Sequence, residues 1–332
     1  MINEHHPAGF PRRASLLALL LLLSWAPLTA KPPKIRSILP LAAAPGKTTE
    51  VVITGENLET VTGLWTTFGS KTTIVPEEKR NAKKLRIRIE LPKETPVGIG
   101  AIRAIGPGGL SNPRLFAIDD LPTRTAGAKN GSASDAHAIE APCAIDSQTL
   151  TNQVRYYSFK ASAGQELSLE VMSQRLGSGL DPVLRILDSS RRELAYSNDS
   201  LGADSQISWR AEKDGTYLLE LRDVTWRGGE GFEYRLRIGD FPLVSAPYPM
   251  RAEQGKPAKI SIAGVGSAGI KPREVLLPRG SSGRAFYLTV RPPGSSSSSF
   301  VTLLSSDLPE LLEKEPNNQP GSALRLEYPC AV

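Results

Sequence analysis

The sequence predicts an all-β chain of tandem β-sandwich modules, and three observations carry that prediction. Short segments alternate apolar and polar residues with a period of two, as in Leu167, Leu169 and Val171, in Tyr217, Leu219 and Leu221, and in Tyr234, Leu236 and Ile238. That period sets one row of side chains on one sheet face and the intervening residues, Arg222, Arg235 and Arg237 among them, on the other. Helical periodicity is sustained nowhere, and Asp307–Glu315 (DLPELLEKE) amounts to one turn. Third, the chain repeats itself. Glu-x-Pro-Cys-Ala-Ile/Val occurs at Glu140–Ile145 and Glu327–Val332, and Asp-Leu-Pro at Asp120–Pro122 and Asp307–Pro309, each 187 residues apart. Leu39–Leu58 is echoed at Tyr248–Gly266 with an offset of 209. The order is therefore A, B, A′ and the first residues of B′, with A′ about 22 residues shorter than A between its anchors.

Residues 1–30 read as a secretory signal peptide. Arg12 and Arg13 precede the apolar run ASLLALLLLLSW, and APLTA closes it with small residues up to Ala30. The run is shorter than the ~20 apolar residues that span a bilayer. Export to the secreted, periplasmic or cell-surface compartment follows, with no membrane span after signal removal. Residues 31–120 form A, whose strands are EVVITG, LRIRIEL and GAIRAIG. Residues 121–134 are rich in Gly, Ser and Ala and read as a flexible linker. Residues 135–241 form B. Its strands RYYSFKA, ELSLEVMS, VLRILD, ELAYS, SQISWRA, GTYLLELRD and FEYRLRIG are β-branched or aromatic and evenly spaced, the mark of an antiparallel sandwich. Residues 242–310 form A′, with Pro292–Phe300 (PPGSSSSSF) as an internal loop, and 311–332 read as the start of a second B. A first strand with no sheet to join is expected to lack backbone partners.

Composition excludes several classes. The chain has 332 residues and net charge +6, but its basic residues form no block, so a nucleic-acid stripe is not expected. Cys143 and Cys330 hold the same place in two copies of one motif, so each is given a local role rather than a shared disulfide. Past the signal the one histidine is His137, and there is no G-x-S-x-G elbow and no set of His and Cys for zinc. The chain is read as non-catalytic.

Module B resembles the bacterial pre-peptidase C-terminal (PPC) domain, a jelly-roll-like sandwich. The residues that carry this are YYSFKASAGQELSLEV, RLGSGLDPVLRILDSSRRELAYSNDS, and DGTYLLELRD leading to YRLRIG; EKEPNNQPGSA at Glu313–Ala323 is similar to the usual entry into the same domain. PGKTTEVVITGENL and LPKETPVGIGAIRAIGPGGLSNPRLFAID resemble the first and last strands of an Ig-like IPT/TIG domain. The combination resembles the exported multidomain proteins of planctomycete-type bacteria.

Two constellations are candidate sites. Asp181, Asn198, Asp199 and Asp204, with Asp188 and Asp223 nearby in sequence, supply the oxygen ligands that Ca²⁺ takes, and the PPC resemblance implies such a site because related collagenase domains bind calcium. Asn198-Asp199-Ser200 stands where many relatives carry a further carboxylate. The plain alternative is that these residues make Asx turns at strand ends. The second is the Gly-rich loop DVTWRGGEGFEY, where Trp226, Arg227 and Phe232 are candidate ligand-binding residues; ordinary packing over the sandwich end is the alternative.

The expected function is that of an exported binding or scaffold protein. The PPC-like module would contact a matrix or wall polymer or aid secretion, and the IPT/TIG-like modules would be spacers with an Ig-type edge for protein contact. The other reading is the accessory N-terminal region of a secreted protease or other enzyme.

Overall fold

The computed structural model describes residues 30–126 and 129–332, so nearly all of the expected signal peptide, and part of the linker, lie outside the described residues. The described chain is built of β-strands with a few short 3₁₀ turns, and DLPELLEKE forms no helix.

The first sandwich contains β1 (Lys34–Leu39), β2 (Ala42–Ala43), β3 (Thr48–Glu56), β4 (Gly63–Thr66), β5 (Lys71–Ile74), β6 (Lys84–Glu90), β7 (Gly98–Gly106), β8 (Gly109–Leu110) and β9 (Arg114–Ile118). One sheet has the order β1-β3-β6-β5 and the other β2-β9-β7-β4. Between them lie Val51, Ile53, Ile87, Ile89, Ile102 and Phe116, all at 0% exposure, as the period-two alternation requires.

The second sandwich contains β10 (Thr123–Thr125), β11 (His137–Ile139), β12 (Cys143–Gln148), β13 (Arg155–Ala161), β14 (Glu166–Met172), β15 (Pro182–Leu187), β16 (Glu193–Ser197), β17 (Gln206–Arg210), β18 (Gly215–Asp223) and β19 (Glu233–Gly239). Its sheets run β10-β12-β19-β14-β17 and β11-β13-β18-β15-β16. The apolar rows named from the sequence meet in its core with Cys143, Tyr157 and Phe159. Trp209 packs edge-on against Tyr217 at 4.6 Å, and Cys143 and Cys330 are both free thiols. The segment read as a linker differs at its start: Thr123–Thr125 pairs in parallel with β12 as an edge strand.

The third sandwich contains β20 (Leu243–Tyr248), β21 (Arg251–Glu253), β22 (Pro257–Val265), β23 (Arg273–Leu276), β24 (Ala285–Val290) and β25 (Ser299–Ser306), in sheets β20-β22-β23 and β21-β25-β24. The final residues do find a partner: Ala331 bridges Glu310, with Leu311 N–H donating to the Ala331 carbonyl at 2.8 Å.

What joins the sandwiches is charge. β19 is a central strand, and all seven of its residues are buried. Arg235 and Arg237 do lie on the face opposite Tyr234, Leu236 and Ile238, but the first and third sandwiches cover that face. Their exposures are 0% and 1%. Arg235 Nε donates to Asp119 Oδ2 at 2.7 Å, and its Nη1 reaches both Asp146 oxygens at 2.8 and 2.9 Å. Arg237 donates to Asp119, to Glu170 Oε2 at 2.5 Å, and to the Ser298 carbonyl of the third sandwich at 2.5 Å. Glu170 in turn accepts from Arg175 at 2.7 Å, and Arg175 Nε donates to Asp204 at 2.6 Å. Around this network pack two apolar seams: Leu41, Ala42, Ala117, Met172 and Leu176, and Leu121, Ala144, Phe241 and Leu243. The serine run is part of the joint rather than a free loop. Ser296 and Ser297 hydroxyls donate to Asp240, and Ser298 N–H donates to Asp120.

Burial opposes ionisation of every carboxylate here, and the number of facing arginines decides the outcome. Asp119, between Arg237 and Arg235, is held below its ordinary value, whereas Asp146, with Arg235 alone, is pushed up. For Glu170, burial is outweighed by Arg175 and Arg237, and its pKa falls to about 2.

Removing one partner of such a network strands a buried charge, at a cost of about 3–5 kcal/mol. Asp119→Ala is expected to destabilise the docked chain by that amount in denaturant titration and to admit protease at residues 119–123. A loss below about 1 kcal/mol would show that the junction is solvated. The depressed Glu170 value fixes a pH window. Its stabilisation is complete above the unfolded value of 4.5 and is lost as pH falls towards about 2. Thermal unfolding between pH 5 and 2 should therefore fall more steeply for the parent than for Glu170→Gln.

Candidate functional site

The loop between β18 and β19 is folded around one carboxylate. Asp223, at 1% exposure, accepts from Thr225 N–H at 2.9 Å, Thr225 Oγ1 at 2.7 Å, Arg227 N–H at 3.1 Å and Asp181 N–H at 3.1 Å. Burial opposes its ionisation, but these donors hold its pKa below the ordinary value. Gly228 presses so closely on Leu150 that a Cβ there would lie 2.3 Å from the Leu150 carbonyl carbon. Caught between these anchors, Trp226 adopts φ 64°, a left-handed conformation that is an outlier for a bulky side chain. Its amide donates to Asp223 and its carbonyl accepts from Asn152.

The three residues singled out in this loop separate by role. Trp226 exposes 43% of its surface, and the Arg222 guanidinium lies 4.7 Å from its ring centroid. Arg227 stacks over Phe232 at 5.3 Å and also reaches Asp223. Phe232 is half-buried and packs against the core of the second sandwich. The indole is therefore the most exposed of the three, Arg227 lies beside it, and Phe232 is support. Arg222 was not singled out from sequence. Its place two residues beyond the Glu220 side chain on one face of β18, and four before Trp226, was the available signal.

The acidic residues separate as well. Asp204 is fully buried and its carboxylate is consumed by Ser173 N–H at 3.0 Å, Ser173 Oγ at 2.8 Å, Gln174 N–H at 2.9 Å and Arg175 Nε at 2.6 Å. Asp188 closes a turn by accepting from Ser190 and Arg192 backbone amides, each at 2.9 Å. Asp181 and Asn198 are different: each has a buried Oδ1 with no hydrogen-bond partner. Asp199 is exposed at φ 57°. Desolvation, then repulsion by Asp199 and Asp223, raises the Asp181 pKa. Among the described residues no group of three or more His, Cys, Asp and Glu side chains is placed to hold a metal. Asp181 Oδ1 and Asn198 Oδ1 are thus open acceptors beside the Asp199 turn.

Sequence reasoning did not find a cleft of about 870 Å³ that opens along β11 and β13 beside His137, Glu140, Ser158 and Lys160. His137 meets Tyr157 edge-on at 6.2 Å. Thr216 and Arg124 complete a mixed polar lining.

No protein-family model matches the chain. It is 38% identical over 69 residues to a probable subtilase-type serine protease of Deinococcus radiodurans, a match covering 20% of this chain and 10% of that protein's length. Among solved structures, it is similar to the pre-peptidase C-terminal domain of a collagenase from Bacillus anthracis (17% identity, 31% of this chain and 93% of that one, TM-score 0.27). It is also similar to the protein SGBP-B from a xyloglucan utilization locus of Bacteroides uniformis (14% identity, 64% and 74%, TM-score 0.21).

Replacing Asp223 by Ala removes the acceptor that shapes the loop. Hydrogen bonds to a buried charge contribute about 1.5–3 kcal/mol, so a loss of at least that size is expected, with a red-shifted Trp226 emission. Arg222→Ala, which removes one cation–π contact, should cost about 1 kcal/mol or less. Equal effects of the two would contradict the assigned roles.

Proposed function

We propose that the chain is a non-catalytic binding and scaffold segment of an exported protein, in which the second sandwich contacts an extracellular polymer through Trp226. The observation that carries this is the indole held exposed in a strained backbone conformation by a loop whose other residues are anchored. A flat aromatic face offers large contact area at little entropic cost, because the loop is already ordered. Arg227 supplies hydrogen-bond donors beside it. The buried network of Arg235 and Arg237 fixes the sandwich that bears the loop against its neighbours, which suits a scaffold.

A second reading, the accessory region of a secreted protease, is favoured by the 69-residue match to the Deinococcus subtilase-type protein. In that reading the same surface would hold a catalytic domain near its polymer.

Calcium belongs to this proposal. Asp181, Asn198 and Asp199 would hold the ion, with Asp204 excluded because its oxygens are already taken. Bound there, calcium would supply charge that offsets the repulsion among Asp181, Asp199 and Asp223 and would order the loops at that end of the sandwich.

The test is co-sedimentation with insoluble collagen and with peptidoglycan sacculi, in calcium and in chelator. The parent chain is expected to pellet with one of them, and Trp226→Ala to weaken that binding at least tenfold without changing the unfolding temperature. Equal retention of parent and variant, or no retention of the parent on either polymer, would overturn the polymer role. Calcium should raise the parent's unfolding temperature by mass action, and Asp181→Asn with Asp199→Ala should remove the rise. An unshifted parent at millimolar calcium would overturn the ion site.

A further inference from the structure

The first and third sandwiches are copies of one module, and comparing them shows what the third lacks. In the first, β5 pairs β6 along Ile87–Glu90, and β4 pairs β7 along Ile102–Ile105. Both are edge strands, and Leu64, Phe68 and Ile74 from this stretch pack against the core between the sheets. In the third, β23 stands where β6 stands, pairing β22, and β24 stands where β7 stands, pairing β25. Nothing corresponds to β4 and β5. The roughly 22 residues by which A′ is shorter are this pair of strands and their connections.

The edge left open is not blunted by burial. Among the described residues no strand pairs the outer side of β23. Leu276 on β23 is 66% exposed and Val265 at the end of β22 is 59% exposed. Beside the start of β23 lies a cleft of about 450 Å³ floored by Ile262, Ile270 and Val290 and rimmed by Lys271, Arg273 and Arg291. An offset of 187 carries the β7 residues that β4 pairs, Ile102–Ile105, onto Thr289–Pro292, so the cleft occupies the place of β4. No carboxylate lines it. Arg291 is ion-paired with Asp120, but neither Lys271 nor Arg273 makes an ion pair among the described residues. Partial burial without a counter-charge pushes the Arg273 pKa down. Pro292 and Pro293 follow β24 and lack the N–H groups that would extend it past Val290.

We propose that the third sandwich accepts an extended acidic segment of a partner protein, added as a strand along Arg273–Leu276, with its apolar side chains in the Ile262–Ile270–Val290 cleft and its carboxylates on Lys271 and Arg273. Strand addition draws affinity from main-chain hydrogen bonds and specificity from alternate side chains. The proposal deepens the reading of this module as an Ig-type spacer with a protein-contacting edge and does not depend on Trp226.

The probes are two blocked octapeptides, Glu-Thr-Glu-Val-Glu-Thr-Glu-Val and its counterpart with Lys for Glu, and polygalacturonate as a non-peptide anion. Titration and amide hydrogen exchange are read on the full chain. The acidic peptide is expected to bind with submillimolar affinity and to slow exchange at Arg273–Leu276, and the lysine peptide to bind at least tenfold more weakly. Lys271→Glu with Arg273→Glu, both surface changes, should reverse that order, and Trp226→Ala should leave it unchanged. No protection of β23 at millimolar acidic peptide, equal binding of the two peptides, or binding of polygalacturonate alone would each overturn the proposal. Failure of the parent to bind either polymer, with the edge intact, would instead count against the polymer role only.

Discussion

Burying Arg235 and Arg237 is the constraint on which the arrangement of the described chain depends. Two guanidiniums inside protein are tolerable only if every face meets an acceptor. One module cannot supply them all. Asp146 and Glu170 come from the second sandwich, Asp119 from the end of the first, and the Ser298 carbonyl from the third. The arginines therefore require the three sandwiches to meet at one place. The apolar seams around Leu41 and Phe241 then exclude water and strengthen each ion pair.

This junction also decides where ligands are able to bind. The β19 side of the second sandwich is occupied by its neighbours, so it offers no open sheet face there. Exposed on this sandwich are, among other surfaces, the loop carrying Trp226, the end bearing Asp181 and Asp199, and the cleft along β11. Asp204 shows how the two demands interact. In sequence it belongs with the acidic loops, but Arg175 ties it into the same buried network that contains Glu170. Its oxygens serve docking and loop closure, whereas Asp181 and Asn198 each keep an orphaned acceptor.

Repetition within the chain makes the differences between copies informative. The first and third sandwiches share their order of strands, yet one seals its open side with β4 and β5 and the other leaves β23 free. Free strand edges are usually protected.

Much of this was legible in the sequence, and the limit has a physical cause. Alternation at Leu167–Val171, Tyr217–Leu221 and Tyr234–Ile238 is a local property of a pleated strand, so it named the strands and core of the second sandwich without any knowledge of partners. The repeated motifs indicated the order of modules, and glycines beside Trp226 marked a loop as a candidate site. The same alternation placed Arg235 and Arg237 on the face opposite the core but was silent on what covers that face, because coverage depends on residues 61 to 118 positions away. It was silent for the same reason on whether Asp204 is free for a metal or engaged by Arg175, and on Thr123–Thr125, whose linker-like neighbourhood conceals a parallel edge strand. Periodicity along the chain is set by backbone geometry within a few residues. Burial of a charge is set by contacts between distant segments, and only the tertiary structure brings those together.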